Sequence, residues 1–208
     1  MSLYLVTGGA GFIGSHIASR LVQDGHGVRV LDNLSTGRRE NLDAIQPDSR
    51  RPAWEWMEGD IRDLETCRRA CKGVDFVFHE AALASVGRSM ESPVETTAVN
   101  VGGTVNVLAA AREAKVRRVV LASSSSVYGD TPTLPKREDM RLTPLSPYAA
   151  CKLSGEEFAR VFATNMDLPT VSLRYFNVYG PRQDPKSDYA AVIPRFITAL
   201  LDGKPPQV

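Results

Sequence analysis

The sequence predicts an α/β fold built on a doubly wound parallel sheet, and three observations support this prediction. Short β-rich apolar runs recur along the chain, with helical patterns between most of them. This alternation is typical of a parallel sheet that helices cover on both faces. A glycine-rich turn follows the first run, and 208 residues with 43% hydrophobic content suffice for one sizeable core.

Six runs are the expected strands, namely Leu3–Val6, Val28–Leu31, Trp54–Met57, Phe76–Phe78, Val119–Ala122 and Thr170–Leu173. We expect a long helix over Pro93–Lys115, although it contains Gly102 and Gly103. Each glycine costs a helix about 1 kcal/mol relative to alanine, so we expect both to pack closely against a neighbour. Another helix should begin near Pro147, because proline is tolerated in the first turn of a helix.

Composition narrows the class of protein. The chain has 25 basic and 24 acidic residues, without a basic stripe that would indicate nucleic-acid binding. Three cysteines, Cys67, Cys71 and Cys151, are too few and too scattered for a disulfide framework, which predicts a reducing cytoplasmic location. Cys67 and Cys71 could share a helix face, but two thiols alone make a poor metal site, so we expect buried small hydrophobes and no metal.

No membrane segment is predicted. The apolar start, Leu3–Val6, is too short for a signal-peptide core and runs directly into the glycine turn. No stretch of 18 apolar residues occurs in the sequence, so we expect a soluble protein.

The glycine turn predicts a pyrophosphate site. It fits both Gly9-x-Gly11-x-x-Gly14 and the shifted pattern that starts at Gly8. Glycines allow a tight turn and close approach of the backbone to a phosphate, and the following helix provides N–H donors at its amino end.

A carboxylate at the end of the second strand indicates which dinucleotide is bound. Asp32 lies 18 residues past Gly14, near the ~20 expected for the acid that binds the ribose hydroxyls. This carboxylate would repel a 2′-phosphate, which favours NAD over NADP. Arg38 and Arg39 follow closely and leave NADP as the alternative.

The ends of the third and fourth strands supply further candidates. Asp60 is placed to accept from the adenine amino group with Ile61 against the ring, and the alternative is a turn and helix cap. After the fourth strand, small residues including Ala81 and Ala82 would let the backbone approach the cofactor. We interpret His79 as structural, with catalysis as the alternative.

A tyrosine and a lysine near the start of the helix at Pro147 are the candidate catalytic pair. Tyr148 and Lys152 lie one turn apart on one face. A nearby ammonium favours phenolate, so we expect Lys152 to lower the pKa of Tyr148 towards the working pH. The serine cluster that follows the fifth strand lies where open α/β sheets bind ligands, the alternative being a polar loop.

At this point the sequence resembles the extended short-chain dehydrogenase/reductases, the branch that contains nucleotide-sugar epimerases and dehydratases. The motifs that carry the resemblance span nearly the whole chain: Thr7–Gly14, Asp32–Gly37, Gly59–Ile61, His79–Ala82, Asn100, Ser123–Ser126, Tyr148-x-x-x-Lys152 and Leu173–Pro181. The resemblance implies a Rossmann-like fold, bound NAD and a catalytic triad of Ser124, Tyr148 and Lys152.

The resemblance also implies two sets of binding residues. Cofactor contacts are expected from Gly8, Gly11, Phe12, Ile13, Gly14, Asp32, Asn33, Ser35, Thr36, Gly37, Asp60, Ile61, Ala81, Ala82, Asn100, Tyr148, Lys152 and Tyr175. Substrate contacts are expected from Ser85, Ser124, Ser125, Asn177 and Arg182.

Two serines distinguish the reaction types within this family. Sugar 4,6-dehydratases carry Asp-Glu where this chain has Ser125 and Ser126, and a hydroxyl is a poor acid–base group near neutral pH. The pattern therefore resembles UDP-hexose 4-epimerases, in which hydride leaves C4 to NAD⁺ and returns to the other face. A net dehydrogenase or reductase, and an NAD-binding module without turnover, are the alternatives.

The substrate and the chain's extent are further expectations. Ala84 stands where many UDP-galactose 4-epimerases have lysine, and the segments Arg182–Pro185 and Tyr189–Pro194 resemble epimerases that accept UDP-N-acetylhexosamines. Residues 1–176 are expected to form the NAD-binding domain and 177–208 the incomplete start of a substrate region. Because family members are longer, we expect an intact NAD site, an open sugar site and weak or absent epimerisation by this chain. A homodimer through the helices at Pro93–Lys115 and Tyr148–Met166 is also expected.

Overall fold

The computed structural model describes residues 1–43, 45, 54–184 and 192–205. Six parallel strands form one sheet in the order β3-β2-β1-β4-β5-β6. They are β1 Leu3–Thr7, β2 Gly27–Asp32, β3 Trp54–Glu58, β4 Phe76–His79, β5 Arg118–Ser124 and β6 Thr170–Tyr175. All six predicted strands and the doubly wound α/β fold are confirmed. The strand order reverses between β1 and β4, and such a switch point opens a crevice at the carboxyl ends of the strands.

Seven α-helices accompany the sheet in the described residues. They are α1 Phe12–Gln23, α2 Leu64–Cys71, α3 Val86–Glu91, α4 Pro93–Thr97, α5 Thr104–Glu113, α6 Pro147–Asn165 and α7 Val192–Leu201. As predicted, α6 has proline at its first position; Ser146 caps it by accepting a hydrogen bond from the Ala149 N–H at 3.1 Å.

The core has two layers because successive side chains of a strand point to opposite faces. Leu5 of β1 packs into the layer formed with α2, α5 and α6. Its neighbour Val6 packs into the opposite layer, formed with α1 and the 3₁₀ turn Arg39–Leu42. The sheet is therefore covered on both sides of β1.

The helix predicted over Pro93–Lys115 is interrupted by a π-helical turn, Ala98–Gly103, between α4 and α5. Gly103 is closely packed, as predicted, because a Cβ there would lie 2.4 Å from Ile61 Cδ1. The same prediction is wrong for Gly102, where an added Cβ would meet no described atom within 4 Å. Adjacent residues of a helical turn point in different directions, so only one of the two glycines faces Ile61.

Cys67 and Cys71 are buried in the layer with α2, as predicted. Burial raises the pKa of each thiol to about 12, so both are protonated at neutral pH. In the described part of the chain, no group of three His, Cys, Asp or Glu residues is arranged to hold a metal ion. Within the same residues, no helix is both long and apolar enough to cross a membrane.

Candidate active site

The glycine turn between β1 and α1 forms a cradle that side chains would fill. Gly8 has a φ of +67°, and a Cβ on it would lie 2.6 Å from the Ala81 nitrogen after β4. A Cβ on Gly14 would lie 2.3 Å from the Gly8 carbonyl oxygen. In the described residues no side chain caps the amino end of α1, which begins at Phe12. The backbone N–H groups at this uncapped helix end and the positive end of the helix dipole suit a pyrophosphate.

Asp32 is fixed at the end of β2 by backbone donors. Its Oδ2 accepts from the Ala10 N–H at 3.0 Å and its Oδ1 from the Leu34 N–H at 2.8 Å. Burial raises the pKa of Asp32, and these hydrogen bonds oppose the rise. A Cβ on Gly37 would lie 3.0 Å from Asp32 Oδ1, so the following loop closes tightly over the carboxyl group. The other predicted contacts of this loop, Asn33, Ser35 and Thr36, are exposed beside it.

Arg38 and Arg39, the two residues that made NADP the alternative cofactor, both contact other side chains. The Arg38 guanidinium bonds the Asp184 carboxylate at 2.6 Å. The Arg39 guanidinium lies 4.1 Å from the centre of the Trp56 ring. A 2′-phosphate would have to displace these contacts, so the local geometry favours NAD.

Asp60 and Ile61, after β3, have different surroundings. Asp60 accepts from Asn33 Nδ2 at 2.9 Å and from Arg62 Nη2 at 2.7 Å. These bonds, those from Arg62 first, hold the pKa of Asp60 at about 2. Ile61 is only 5% exposed and packs in the core against Gly103. Its contact with an adenine ring stays a prediction.

A buried hydrogen-bond chain supports the loop after β4. His79 Nε2 lies 2.9 Å from Thr104 Oγ1, which itself donates to the Asn100 carbonyl oxygen at 2.7 Å. Thr104 therefore accepts from His79, whose Nδ1 accepts from Thr7 Oγ1 at 2.7 Å. Burial and then Lys152 lower the pKa of His79 to about 3. The neutral imidazole is structural, as predicted.

The side chain of Asn100 bonds directly to the backbone of the loop after β4. It is buried in the π-helical turn, where Oδ1 accepts from the Leu83 N–H at 2.8 Å and Nδ2 donates to the Leu83 oxygen at 3.1 Å. The side-chain amide thus holds the end of the loop that contains Ala81 and Ala82. The structure gives Asn100 a supporting position, and a direct cofactor contact stays a prediction.

The structure brings the three predicted catalytic residues together at the carboxyl end of β5. Lys152 Nζ donates to the Ala122 carbonyl oxygen at 2.8 Å and lies 5.8 Å from the centre of the Tyr148 ring. Ser124 lies near enough to the Tyr148 phenol for its hydroxyl to lower the pKa of Tyr148. Ser124 Oγ also accepts from Ser126 Oγ at 2.9 Å. Ser124 ends a strand and the other two lie on α6, so the sheet and the helix each position part of the triad.

The pKa of Tyr148 departs from the sequence-based expectation. Burial raises it, and the Ser124 hydroxyl only partly opposes the rise. The Lys152 ammonium lies against the ring face and donates to the backbone, and burial lowers its own pKa to about 8. Among the groups of the described chain, desolvation of the phenolate therefore outweighs the effect of Ser124, and Lys152 does not bring the pKa of Tyr148 below its ordinary value.

Sequence reasoning missed Glu80 as a separate group. Its side chain accepts from the Tyr175 hydroxyl at 3.3 Å, and burial raises its pKa to about 7, with Lys152 opposing. Burial, followed by Glu80, also raises the pKa of Tyr175. A charged residue among small residues at a strand end was the signal that could have revealed it.

The structure does not bring the predicted substrate residues together as it does the predicted catalytic residues. Ser85 caps α3, accepting from the Arg88 N–H at 2.9 Å, and Ser125 begins the 3₁₀ turn Ser125–Tyr128. Asn177 is exposed. Arg182 lies against α1, where it donates to the Ser15 oxygen at 2.9 Å. A diphosphate contact by either residue stays a prediction, and Tyr189–Ala191 lies outside the described residues.

The chain is similar to enzymes of nucleotide-sugar metabolism. A UDP-glucose 4-epimerase of Mycolicibacterium smegmatis is 46% identical over 202 residues, covering 96% of this chain and 63% of that protein. The solved structure of a UDP-N-acetylglucosamine 4-epimerase from Methanobrevibacter ruminantium, in complex with UDP-N-acetylmuramic acid, is 42% identical with a TM-score of 0.90. That match covers 98% of this chain and 64% of the solved one.

A UDP-glucose 4-epimerase from Thermus thermophilus, solved in complex with NAD, is 42% identical with a TM-score of 0.85, covering 98% of this chain and 64% of that one. Relatives with other reactions also match, including a UDP-N-acetyl-alpha-D-glucosaminuronate decarboxylase of Bacillus cytotoxicus, 38% identical over 96% of this chain and 61% of that protein. The chain thus spans less than two thirds of the length of these relatives. The model of the NAD-dependent epimerase/dehydratase family matches residues 4–208. The chain belongs to this family of enzymes.

Proposed function

We propose that the protein is a 4-epimerase of UDP-hexoses, acting on UDP-glucose and UDP-galactose or on UDP-GlcNAc and UDP-GalNAc. The observation that carries the proposal is that Ser124, Tyr148 and Lys152 lie together and that the two residues directly after Ser124 are serines, Ser125 and Ser126. Without carboxyl groups at those two positions, the chain lacks the acid–base pair that the resemblance associates with water elimination. The names of the relatives support the same class of reaction.

The residues at the switch point fit NAD. The glycine cradle leaves room for a pyrophosphate, and Asp32 stands at the strand end with acceptor oxygens for ribose hydroxyls. When bound, NAD supplies a reversible hydride acceptor and, in its oxidised form, a positive charge. We propose that residues 1–176 hold NAD and that the substrate region begins at 177.

The triad then performs the proton transfer. In its phenolate form, Tyr148 would remove the proton of the C4 hydroxyl while Ser124 donates a hydrogen bond to the C4 oxygen, and loss of the C4 hydride to the bound acceptor would leave the 4-keto sugar. Tyr148 returns the proton once the opposite face of C4 has been reduced. Lys152, held on the Ala122 oxygen, supplies a positive charge beside the phenol.

The experiment is an interconversion assay without added cofactor. The purified chain is incubated with each UDP-sugar, the products are identified by NMR, and nucleotides released from the protein are identified by mass spectrometry. We expect NAD as the released nucleotide and the C4 epimer as the product, formed at the low rate expected of this chain from its sequence. A product that forms only when cofactor is supplied would identify a dehydrogenase or reductase, and a 4-keto-6-deoxy sugar would identify a dehydratase.

A pair of tyrosine variants tests the assignment of the base. Tyr148→Phe should lower turnover by about 10²–10⁴-fold, since general acid–base catalysis typically contributes that much, while NAD content stays unchanged. Tyr4→Phe is the matched control, because Tyr4 stacks on Phe76 in the sheet, away from the triad. Equal turnover in Tyr148→Phe and Tyr4→Phe would refute the assignment.

We also propose a homodimer through α4 and α6. Val94 on α4 is 82% exposed, and Phe158 and Val161 on α6 are partly exposed. Apolar side chains at such helix faces are typical of an interface. Val94→Lys should shift the mass measured by light scattering from dimer to monomer, while Leu134→Lys, at a loop residue that is 78% exposed, should not. A monomeric unmodified chain would contradict the proposal.

A further inference from the structure

Three side chains on one face of α6 contact three consecutive residues of β5. Tyr148, Lys152 and Glu156 follow one another at intervals of four residues, about one helical turn. Tyr148 lies beside Ser124, whose hydroxyl lowers the pKa of the phenol, and Lys152 donates to the oxygen of Ala122.

The third contact lies farther along the helix and takes no part in the proposed chemistry. Ser123 Oγ donates to Glu156 Oε1. Catalytic and non-catalytic side chains therefore dock the helix to the same short stretch of strand.

An ion pair holds Glu156 from the side of β6. Arg174 Nε lies 2.9 Å from Glu156 Oε1, and Arg174 Nη2 lies 2.8 Å from Oε2. The two side chains are only 17% and 11% exposed, and Arg174 is paired with Ser123 in the register of β5 and β6. Burial favours the neutral form of Glu156, but the bonds from Arg174 and Ser123 outweigh it and keep its pKa below the ordinary value.

Arg174 is itself held by further contacts. Its Nη1 lies 3.1 Å from the Tyr128 hydroxyl oxygen and donates to the Glu138 carbonyl oxygen at 3.2 Å. The guanidinium also lies 5.0 Å from the centre of the Tyr128 ring. Tyr128 ends the 3₁₀ turn that follows Ser124. The ion pair thus connects α6, β5, β6 and the turn beside the triad.

A buried ion pair contributes little net stability, because desolvation of the charges offsets their attraction, but it specifies one geometry. Arg–carboxylate pairs with two parallel bonds are directional. We propose that Glu156, with Ser123 and Arg174, is a positioning residue that sets the register of α6 on β5 and so places Tyr148 on Ser124 and Lys152 on the Ala122 oxygen. This inference rests on the proposed function for its catalytic meaning, while the positioning itself can be measured without turnover.

The first test is a titration of Lys152 followed by NMR of ¹³C-labelled lysine side chains, with its signal assigned from a Lys152→Arg spectrum. In the unmodified chain the midpoint should be about 8. In Glu156→Gln the midpoint should rise towards the ordinary value of about 10.4, because a shifted helix hydrates the ammonium. Direct loss of a negative charge would move the midpoint the other way, so the sign separates repositioning from simple electrostatics.

Two further variants make the test specific. Glu157→Gln is the matched control, because Glu157 is the next residue of α6 and pairs with Arg160 at 2.6 Å on the exposed face. Its titration should match that of the unmodified chain. Ser123→Ala changes no charge and leaves the ion pair in place, so it should raise the Lys152 midpoint by a smaller amount than Glu156→Gln does. If Glu156→Gln does not fold, the titration of Ser123→Ala tests the positioning role. An unchanged or lowered midpoint in the folded variants would overturn the proposal.

The catalytic consequence is measured in the cofactor-free assay. A misplacement of about 1 Å can cost about 10²-fold in rate, so kcat of Glu156→Gln should fall by about that factor with KM little changed. An equal fall in Glu157→Gln would refute a positioning role. If the unmodified chain does not turn over UDP-sugars, the proposed function fails while the lysine titration still decides the positioning.

Discussion

Gly102 and Gly103 are adjacent in the π-helical turn, yet alanine should have opposite effects at the two positions. An alanine Cβ at position 103 would lie 2.4 Å from Ile61 Cδ1 and 2.6 Å from Ile61 Cγ1, whereas at position 102 it would meet no described atom within 4 Å. Neither glycine has a positive φ that alanine would find strained. The two substitutions therefore differ chiefly in packing.

The magnitude follows from two opposing effects. Replacing glycine by alanine within a helix gains up to about 1 kcal/mol. Overpacking a filled core typically costs about 1–3 kcal/mol, and Ile61 is buried with only 5% of its surface exposed. We therefore expect Gly102→Ala to stabilise the protein and Gly103→Ala to be less stable than Gly102→Ala by about 2 kcal/mol.

Urea unfolding, followed by far-ultraviolet circular dichroism, measures this difference. In thermal unfolding it corresponds to about 4–8 °C between the two variants for a chain of this size. Because Ile61 directly follows Asp60, Gly103→Ala should also weaken NADH binding, while Gly102→Ala should not. Equal stability of the two variants would refute the reasoning, since the packing difference is all that separates them.

Three further predictions concern the cofactor site and its ionisable groups. Gly14→Ala should lower NADH affinity by about tenfold or more, because a Cβ 2.3 Å from the Gly8 oxygen forces the glycine turn open at a cost of about 1–3 kcal/mol. A fluorescence titration measures this affinity, with Gly102→Ala as the control. Equal affinities of the two variants would contradict the prediction. Glu80→Gln should lower the pKa of Lys152 below about 8, because Glu80 favours the ammonium, and a rise in the lysine NMR titration would argue against their coupling. The folded-state pKa of Glu80 is about 7 against an ordinary 4.5, so the folded chain holds that proton more tightly than the unfolded chain. The free energy of unfolding should therefore decrease from about pH 4.5 to pH 7. Urea titrations should show a smaller slope in Glu80→Gln, and an unchanged slope would contradict the raised pKa of Glu80.

The elements that were predicted correctly depend on local patterns. The six strands follow from apolar runs bounded by turns, and the start of α6 follows from Ser146 and Pro147. The glycine turn was predictable because a φ of +67° at Gly8 and the contact between Gly14 and Gly8 require these residues locally. The placement of Tyr148 and Lys152 on one face of α6 was predictable from their spacing, whereas their approach to Ser124 depends on the packing of α6 against β5.

The predictions that were wrong or incomplete depend on long-range contacts. Whether Gly102 or Gly103 packs is decided by Ile61, about 40 residues earlier in the chain. The direction of the Tyr148 pKa shift depends on how much of the sheet and the neighbouring loops cover the phenol. Sequence spacing contains neither quantity.

By itself, the sequence determined the fold class and the glycine turn and predicted the candidate catalytic residues, because each depends on residue types at short, regular spacing. Only the tertiary structure decided how those residues are held and charged. Glu80 reaches Tyr175 across the sheet, and Glu156 joins α6 to Ser123 and Arg174. Burial and the contacts between distant segments set these positions and pKa values, because both depend on the whole packed chain.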